Sequence, residues 1–120
     1  MLTDASLNGG NRRVAGARPC VVAGIKFHSR REARFWLFLM EDQRLGRITD
    51  LKRQVKVPLL GRDGPILTPT GKPAHYVADF TFTEVGTGAH VVADAKGHPT
   101  EIYLLKRAIL AAQGIVIREL

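Results

Sequence analysis

Two segments of this 120-residue chain place carboxylates inside apolar, strand-like runs: Tyr76-Val77-Ala78-Asp79-Phe80 and Val91-Val92-Ala93-Asp94-Ala95-Lys96-Gly97. Burying a bare charge costs on the order of several kcal/mol unless a partner offsets it. A lysine, Lys96, stands two residues beyond the second carboxylate. Two acids and an ammonium at this spacing suit a divalent cation beside a phosphodiester.

Side chains along a strand repeat every second residue, so Asp94 and Lys96 share a face, roughly 7 Å apart. Between the two runs, the glycines of Glu84-Val85-Gly86-Thr87-Gly88-Ala89 read as a hairpin loop. A hairpin centred between Gly86 and Thr87 sets Asp79 directly opposite Asp94, with side chains about 5 Å apart. Like charges that close need either a metal ion between them or a proton on one carboxyl. A slip of one residue in register would separate them.

A helix is expected from about Arg30 to Arg44. Ser29 is a natural N-cap, and Glu32 three residues later completes a capping box. Phe35 through Met40 are consecutively apolar and cover more than one helical face, so this helix is either buried between layers or shared with a second subunit. Gly46 ends it. The alternation of Arg53-Gln54-Val55-Lys56-Val57 marks a strand within Arg47 to Leu59, stopped by Pro58 and Gly61. A long proline-rich loop, Gly61 to Ala74, leads into the two acid-bearing strands. A second helix follows from about Pro99 to Gln113, with Gly114 past its end and Ile102, Leu105, Ala108 and Ile109 as its apolar stripe. Ile115 to Arg118 reads as a terminal strand. The order is helix, three strands, helix, strand. Residues 1–23 read as a disordered basic tail, and 24–120 as one domain.

The chain carries 18 basic against 11 acidic residues, a formal charge of +7, which favours a polyanionic partner. Cys20 is the only cysteine. It excludes an internal disulfide and a cysteine-based zinc site, and it fits a reducing cytoplasm. The longest apolar run is the six residues from Phe35 to Met40, far short of the roughly 20 that a membrane span needs. The glycine- and arginine-rich N-terminus does not read as a secretory signal.

Asp50-Leu51-Lys52 repeats the acid-x-lysine form, but no strand before it can set a second acid opposite Asp50, which therefore reads as solvent-facing. The capping box accounts for Glu32 as well as a metal would. Gln54 could reach the site or face outward. Lys106 and Arg107 suit phosphate or solvent. His75 and His98, near turns, read as polar surface.

Together these segments resemble the PD-(D/E)XK nuclease superfamily. The likeness is in particular to a small phage-encoded family of unknown function that is similar to phage and archaeal Holliday-junction resolvases. It covers about Lys26 to Leu120. It rests on Phe27-His28-Ser29-Arg30-Arg31-Glu32-Ala33, on Leu51 through Gln54, on the two acid-bearing runs, and on Thr100, Tyr103 and Lys106. The resemblance implies a restriction-endonuclease-like αβββαβ core, a mixed central sheet flanked by helices. It matches Asp79 and Asp94 to the superfamily's two strand acids, Lys96 to its lysine and Glu32 to its first-helix glutamate. Gln54 matches a family glutamine without an assigned role. The second acid is Asp where Glu is commoner, and Ala78 stands where the superfamily has its proline.

The expected activity is Mg²⁺-dependent hydrolysis of DNA phosphodiesters, with Mn²⁺ as a substitute ion. Asp79, Asp94, the carbonyl of Ala95 and Glu32 would hold the metal, and Lys96 would act on the attacking water or the developing charge. Arg30, Arg31, Gln54 and Lys106 are the candidate DNA contacts. The expected partners are branched or duplex DNA and a second copy of the chain, in the cytoplasm, with no membrane. The alternatives are a non-catalytic DNA-binding module and an accessory subunit that needs a partner chain.

Overall fold

Local signals along the chain decide where its helices begin. Ser29, held extended at φ −153°, turns its Oγ to the N–H of Glu32 at 3.0 Å and opens α1 (Arg30–Arg44). Gly46, at φ +79°, follows the helix in the left-handed conformation that glycine adopts without steric cost. The second helix, α2 (Glu101–Ala112), starts later than expected. Thr100 caps it by accepting from the Tyr103 N–H at 3.1 Å, and Pro99 lies outside.

The computed structural model describes residues 18–95 and 99–120. Two short strands, β1 (Cys20–Val22) and β2 (Ile25–Phe27), pair as a hairpin ahead of α1. After α1 come β3 (Ile48–Pro58), the small ribbon of β4 (Leu60–Gly61) and β5 (Gly64–Pro65), then β6 (His75–Glu84) and β7 (His90–Asp94). Strand β8 (Arg118–Glu119) closes the chain after α2. The central sheet runs β3-β6-β7-β8, antiparallel except between β7 and β8. The fold is mixed α/β, and α1, β3, β6, β7, α2 and β8 keep the expected order of elements.

Several expectations need correction. Cys20 to Val22 belong to a paired strand, so the folded body begins before residue 24; residues 1–17, the rest of the expected tail, lie outside the described residues. The loop from Gly61 to Ala74 is folded back on itself by the β4–β5 ribbon and a bridge between Leu67 and Pro73. The terminal strand sits at Arg118–Glu119 rather than at Ile115–Arg118, because only there does the chain run alongside β7.

Of the apolar stripe expected on α2, Ile102 and Leu105 face outward, 62% and 57% exposed, while Ile109 packs half-buried against the core beside the buried Tyr103 and Leu110. The reason is polar fastening. The Tyr103 hydroxyl donates to Glu119 at 2.7 Å and the Lys106 ammonium to the His75 carbonyl at 3.0 Å. These side chains turn the 103–106–110 face inward even though it is less apolar than its neighbour. Nor is α1 sandwiched between layers, for Leu37, Phe38 and Met40 are exposed, Phe38 to 60%.

Two apolar clusters flank the sheet. One joins Leu39 of α1, with Phe35 and Trp36, to Phe80, Phe82, Val91 and Ala93. The other joins Tyr103 and Leu110 of α2 to Tyr76, Ala78 and Val92. Val92 and Ala93 are consecutive in β7 and so point to opposite faces, which puts the helices on opposite sides of the sheet. Strand β6 contributes Ala78 to the α2 cluster and Phe80 to the α1 cluster, and Asp79 stands between them in sequence. Among the described residues no helix is long and apolar enough to cross a membrane.

Candidate functional site

The hairpin between β6 and β7 has the expected register, with Phe80 opposite Ala93, Thr81 opposite Val92 and Thr83 opposite His90. One step further along the same register sets Asp79 against Asp94. The ladder ends at Phe80 and Ala93, where β7 turns toward β8 and β6 continues along β3. Parting strands leave backbone N–H groups without ladder partners, and a buried N–H must find an acceptor. Here the two carboxylates supply it. Asp94 Oδ1 accepts from the Asp79 N–H, and Asp79 Oδ2 accepts from the Ala95 N–H, both at 3.0 Å. Asp94 is 0% exposed and Asp79 9%. Ala95, expected to offer its carbonyl, meets Asp79 through its N–H.

Glu32 joins this pair from α1 and is only 2% exposed. It does not close the expected box onto Ser29. Its Oε1 instead accepts from the His28 N–H at 2.8 Å, just ahead of the helix. Its Oε2 accepts from the Gln54 amide at 2.6 Å. Burial pushes the Glu32 carboxyl above its usual range, and the nearby charge of Asp79 pushes it further the same way. The His28 N–H and the Arg53 guanidinium act in the opposite direction. Asp79 is thus linked to both other acids, donating its N–H to Asp94 and acting on Glu32 through its charge.

Gln54 is the residue whose place the sequence left open. It sits within β3, where strand alternation would continue smoothly, yet its φ is +54°. A non-glycine residue in that region costs about 1–2 kcal/mol. The distortion aims its amide at Glu32. Arg53 beside it was missed altogether: its guanidinium lies 4.7 Å from the Phe27 ring centre and donates to the Lys26 carbonyl at 3.2 Å. Only the neighbouring Gln54 hinted that this part of β3 mattered.

The other expected site residues divide. Lys96 and His98 lie outside the described residues. Arg30 stays exposed on the first turn of α1. Arg31 donates to the Leu120 carbonyl and lies over the Phe35 ring. Lys106 is engaged with the His75 carbonyl, half-buried. Asp50 is solvent-facing as expected, 3.6 Å from Lys52.

Asp79, Asp94 and Glu32 offer oxygen donors only, the set that a hard cation such as Mg²⁺ takes. As they stand, four of their oxygens are turned onto N–H groups. Among the described residues no three His, Cys, Asp or Glu side chains form a ready-made metal cage. An ion entering here would therefore compete with backbone and amide donors for carboxylate oxygens. The chemistry of the donor set fits the metal, while the carboxylate orientations are those of a pocket that has to rearrange around it.

A family model described as "Protein of unknown function (DUF1064)" matches residues 12–119. No curated protein and no solved structure matches the chain.

Proposed function

We propose that this chain, which belongs to the DUF1064 family of proteins of unknown function, is a divalent-metal-dependent DNA endonuclease. The observation that carries the reading is the gathering of three buried carboxylates, one from α1, one from β6 and one from β7, with Glu32 pushed up partly by the charge of Asp79. Acids held against their own repulsion cluster at functional sites more often than elsewhere. The order of elements and the mixed sheet also suit a restriction-endonuclease-like core.

In this reading Asp79, Asp94, Glu32 and the Ala95 carbonyl would hold Mg²⁺, with Mn²⁺ able to replace it. The bound ion supplies Lewis-acid polarisation of the scissile phosphate and a more acidic water. Lys96 would orient the attacking water or offset the charge that develops on the phosphate. Arg30, with the excess of basic residues, holds the DNA backbone without reading sequence. Arg31, Gln54 and Lys106 are already engaged within the chain and reach DNA only if those contacts open. The substrate is branched or duplex DNA, of the junction type that phage resolvases cut, and the setting is the cytoplasm of a host cell.

A second copy of the chain suits the exposed face of α1. Leu37, Phe38 and Met40 are exposed there, and a closed dimer would use the same patch on both copies.

The test is a nicking assay with Mg²⁺ on branched, nicked and duplex DNA. Asp79→Ala and Lys96→Ala should abolish cleavage and leave DNA binding largely intact. Cleavage at the wild-type rate by either variant refutes the site. One observation favours a second reading, a DNA-binding module without catalysis: both aspartates already serve the backbone where β6 and β7 part. That module would bind the same DNA and never cut it. An accessory subunit would cut only after its partner chain is added.

A further inference from the structure

We infer that Gln54 is a positioning residue for Glu32, and that its strained backbone exists to aim its amide at that carboxylate. The inference rests on the metal-site reading above and assigns a role that the reading leaves blank.

Three observations converge. Gln54 holds φ +54° inside an eleven-residue strand, and β3 and β6 pair regularly on both sides of it, Arg53 with Phe80 and Val55 with Ala78. The distortion is therefore local to Gln54 and does not come from a register shift at that point. Second, the residue skipped between those two pairs faces Asp79 on β6, so the distorted position sits beside the central acid. Third, the Gln54 amide reaches Glu32 across 22 residues of sequence at 2.6 Å, and Glu32 is buried.

A side chain with no task would let its backbone relax to the extended form of its neighbours. Among the described residues, the Gln54 amide is the one hydrogen-bond donor to the second oxygen of Glu32. The His28 N–H fixes Oε1 from the helix side. Gln54 fixes Oε2 from the sheet side, which sets the carboxylate plane relative to Asp79. Each carboxylate oxygen keeps a second lone-pair direction, so a carboxylate held this way still presents an oxygen to an ion. Partners of metal ligands act by this route, and losing one weakens metal affinity by roughly 10–100-fold.

Gln54→Gly separates the side chain from the strain, since glycine accepts positive φ and the variant keeps the backbone path. The experiment is a calorimetric titration of the full chain with Mn²⁺ alone, with no DNA, alongside a thermal melt and a nicking assay over a range of Mn²⁺. Asp79→Ala serves as the reference without a site. The expected result is a Gln54→Gly protein that melts at or above the wild-type temperature, binds Mn²⁺ about 10–100-fold more weakly, and recovers nicking at high Mn²⁺. Wild-type Mn²⁺ affinity in Gln54→Gly overturns the inference and leaves the nuclease reading standing. A lowered melting temperature with unchanged affinity also overturns it, by showing a purely structural bond. If wild type itself takes up no more Mn²⁺ than Asp79→Ala, the metal-site reading fails and this inference fails with it.

Discussion

Asp79→Asn separates a site kept for function from one kept for stability. The substitution keeps an oxygen for the Ala95 N–H, now 3.0 Å from Asp79 Oδ2, and removes one negative charge. Opposed side chains on antiparallel strands are about 5 Å apart. Two unit charges at that distance, at an effective dielectric of about 20, repel by about 3 kcal/mol. Glu32 adds to the repulsion from the α1 side. Against this, a neutral acceptor is weaker than a charged one by about 1 kcal/mol, and residual solvent at Asp79 screens part of the Coulomb energy. The balance is a gain of about 1–2 kcal/mol in the absence of metal. At about 4 °C per kcal/mol for a domain of this size, the melting temperature in EDTA should rise by about 4–8 °C. With Mn²⁺ present the order should reverse, because only wild type gains stability from ion binding. Circular dichroism melts in both buffers measure it. A variant that melts below wild type in EDTA would show that the acids stabilise the fold as they are, and the argument from mutual repulsion would be wrong.

Three further outcomes follow from the same structure. Burial, above all, raises the Glu32 carboxyl above its usual range, so its ionisation opposes folding. Its contribution is most favourable below the unfolded carboxylate range and is lost as pH rises through the raised folded value. Glu32→Gln should therefore gain on wild type in metal-free melts as pH climbs from about 4.5, and a constant difference across that window would contradict the assignment. On α2, Leu110→Ala should cost about 2–5 kcal/mol in urea unfolding, whereas Leu105→Ala should cost under about 0.5; equal losses would mean that the helix faces are misassigned. On α1, Phe38→Asp should leave the melt unchanged and convert a dimer to a monomer in light scattering, and a wild type that runs as a monomer at all concentrations would remove the proposed α1 contact.

Much of the architecture was legible because short-range chemistry controls it. Ser29 with Glu32 marked the start of α1 through N–H groups within one helical turn. The glycines around Thr87 centred the β6–β7 hairpin, and with it the facing of Asp79 and Asp94. That register needs only local turn geometry and side-chain alternation. The exposure of Asp50 followed from the same reasoning, since no earlier strand could face it.

Tertiary structure decided the rest. The inward face of α2 is set by bonds from Tyr103 and Lys106 to distant groups on Glu119 and His75, and counting apolar residues at helical spacing cannot see them. The partners of Glu32 changed for a similar reason. Its capping role reaches His28 instead of Ser29, and its other oxygen is held by a residue from β3. The left-handed backbone of Gln54 has no trace in the alternation of Arg53 to Val57, because the strain is offset by a contact that exists only once helix and sheet have met. Residue order alone determined which acids face each other across a hairpin. Bringing the third acid to them, and the amide that holds it, required the packed chain, since those bonds join segments whose separation no local rule spans.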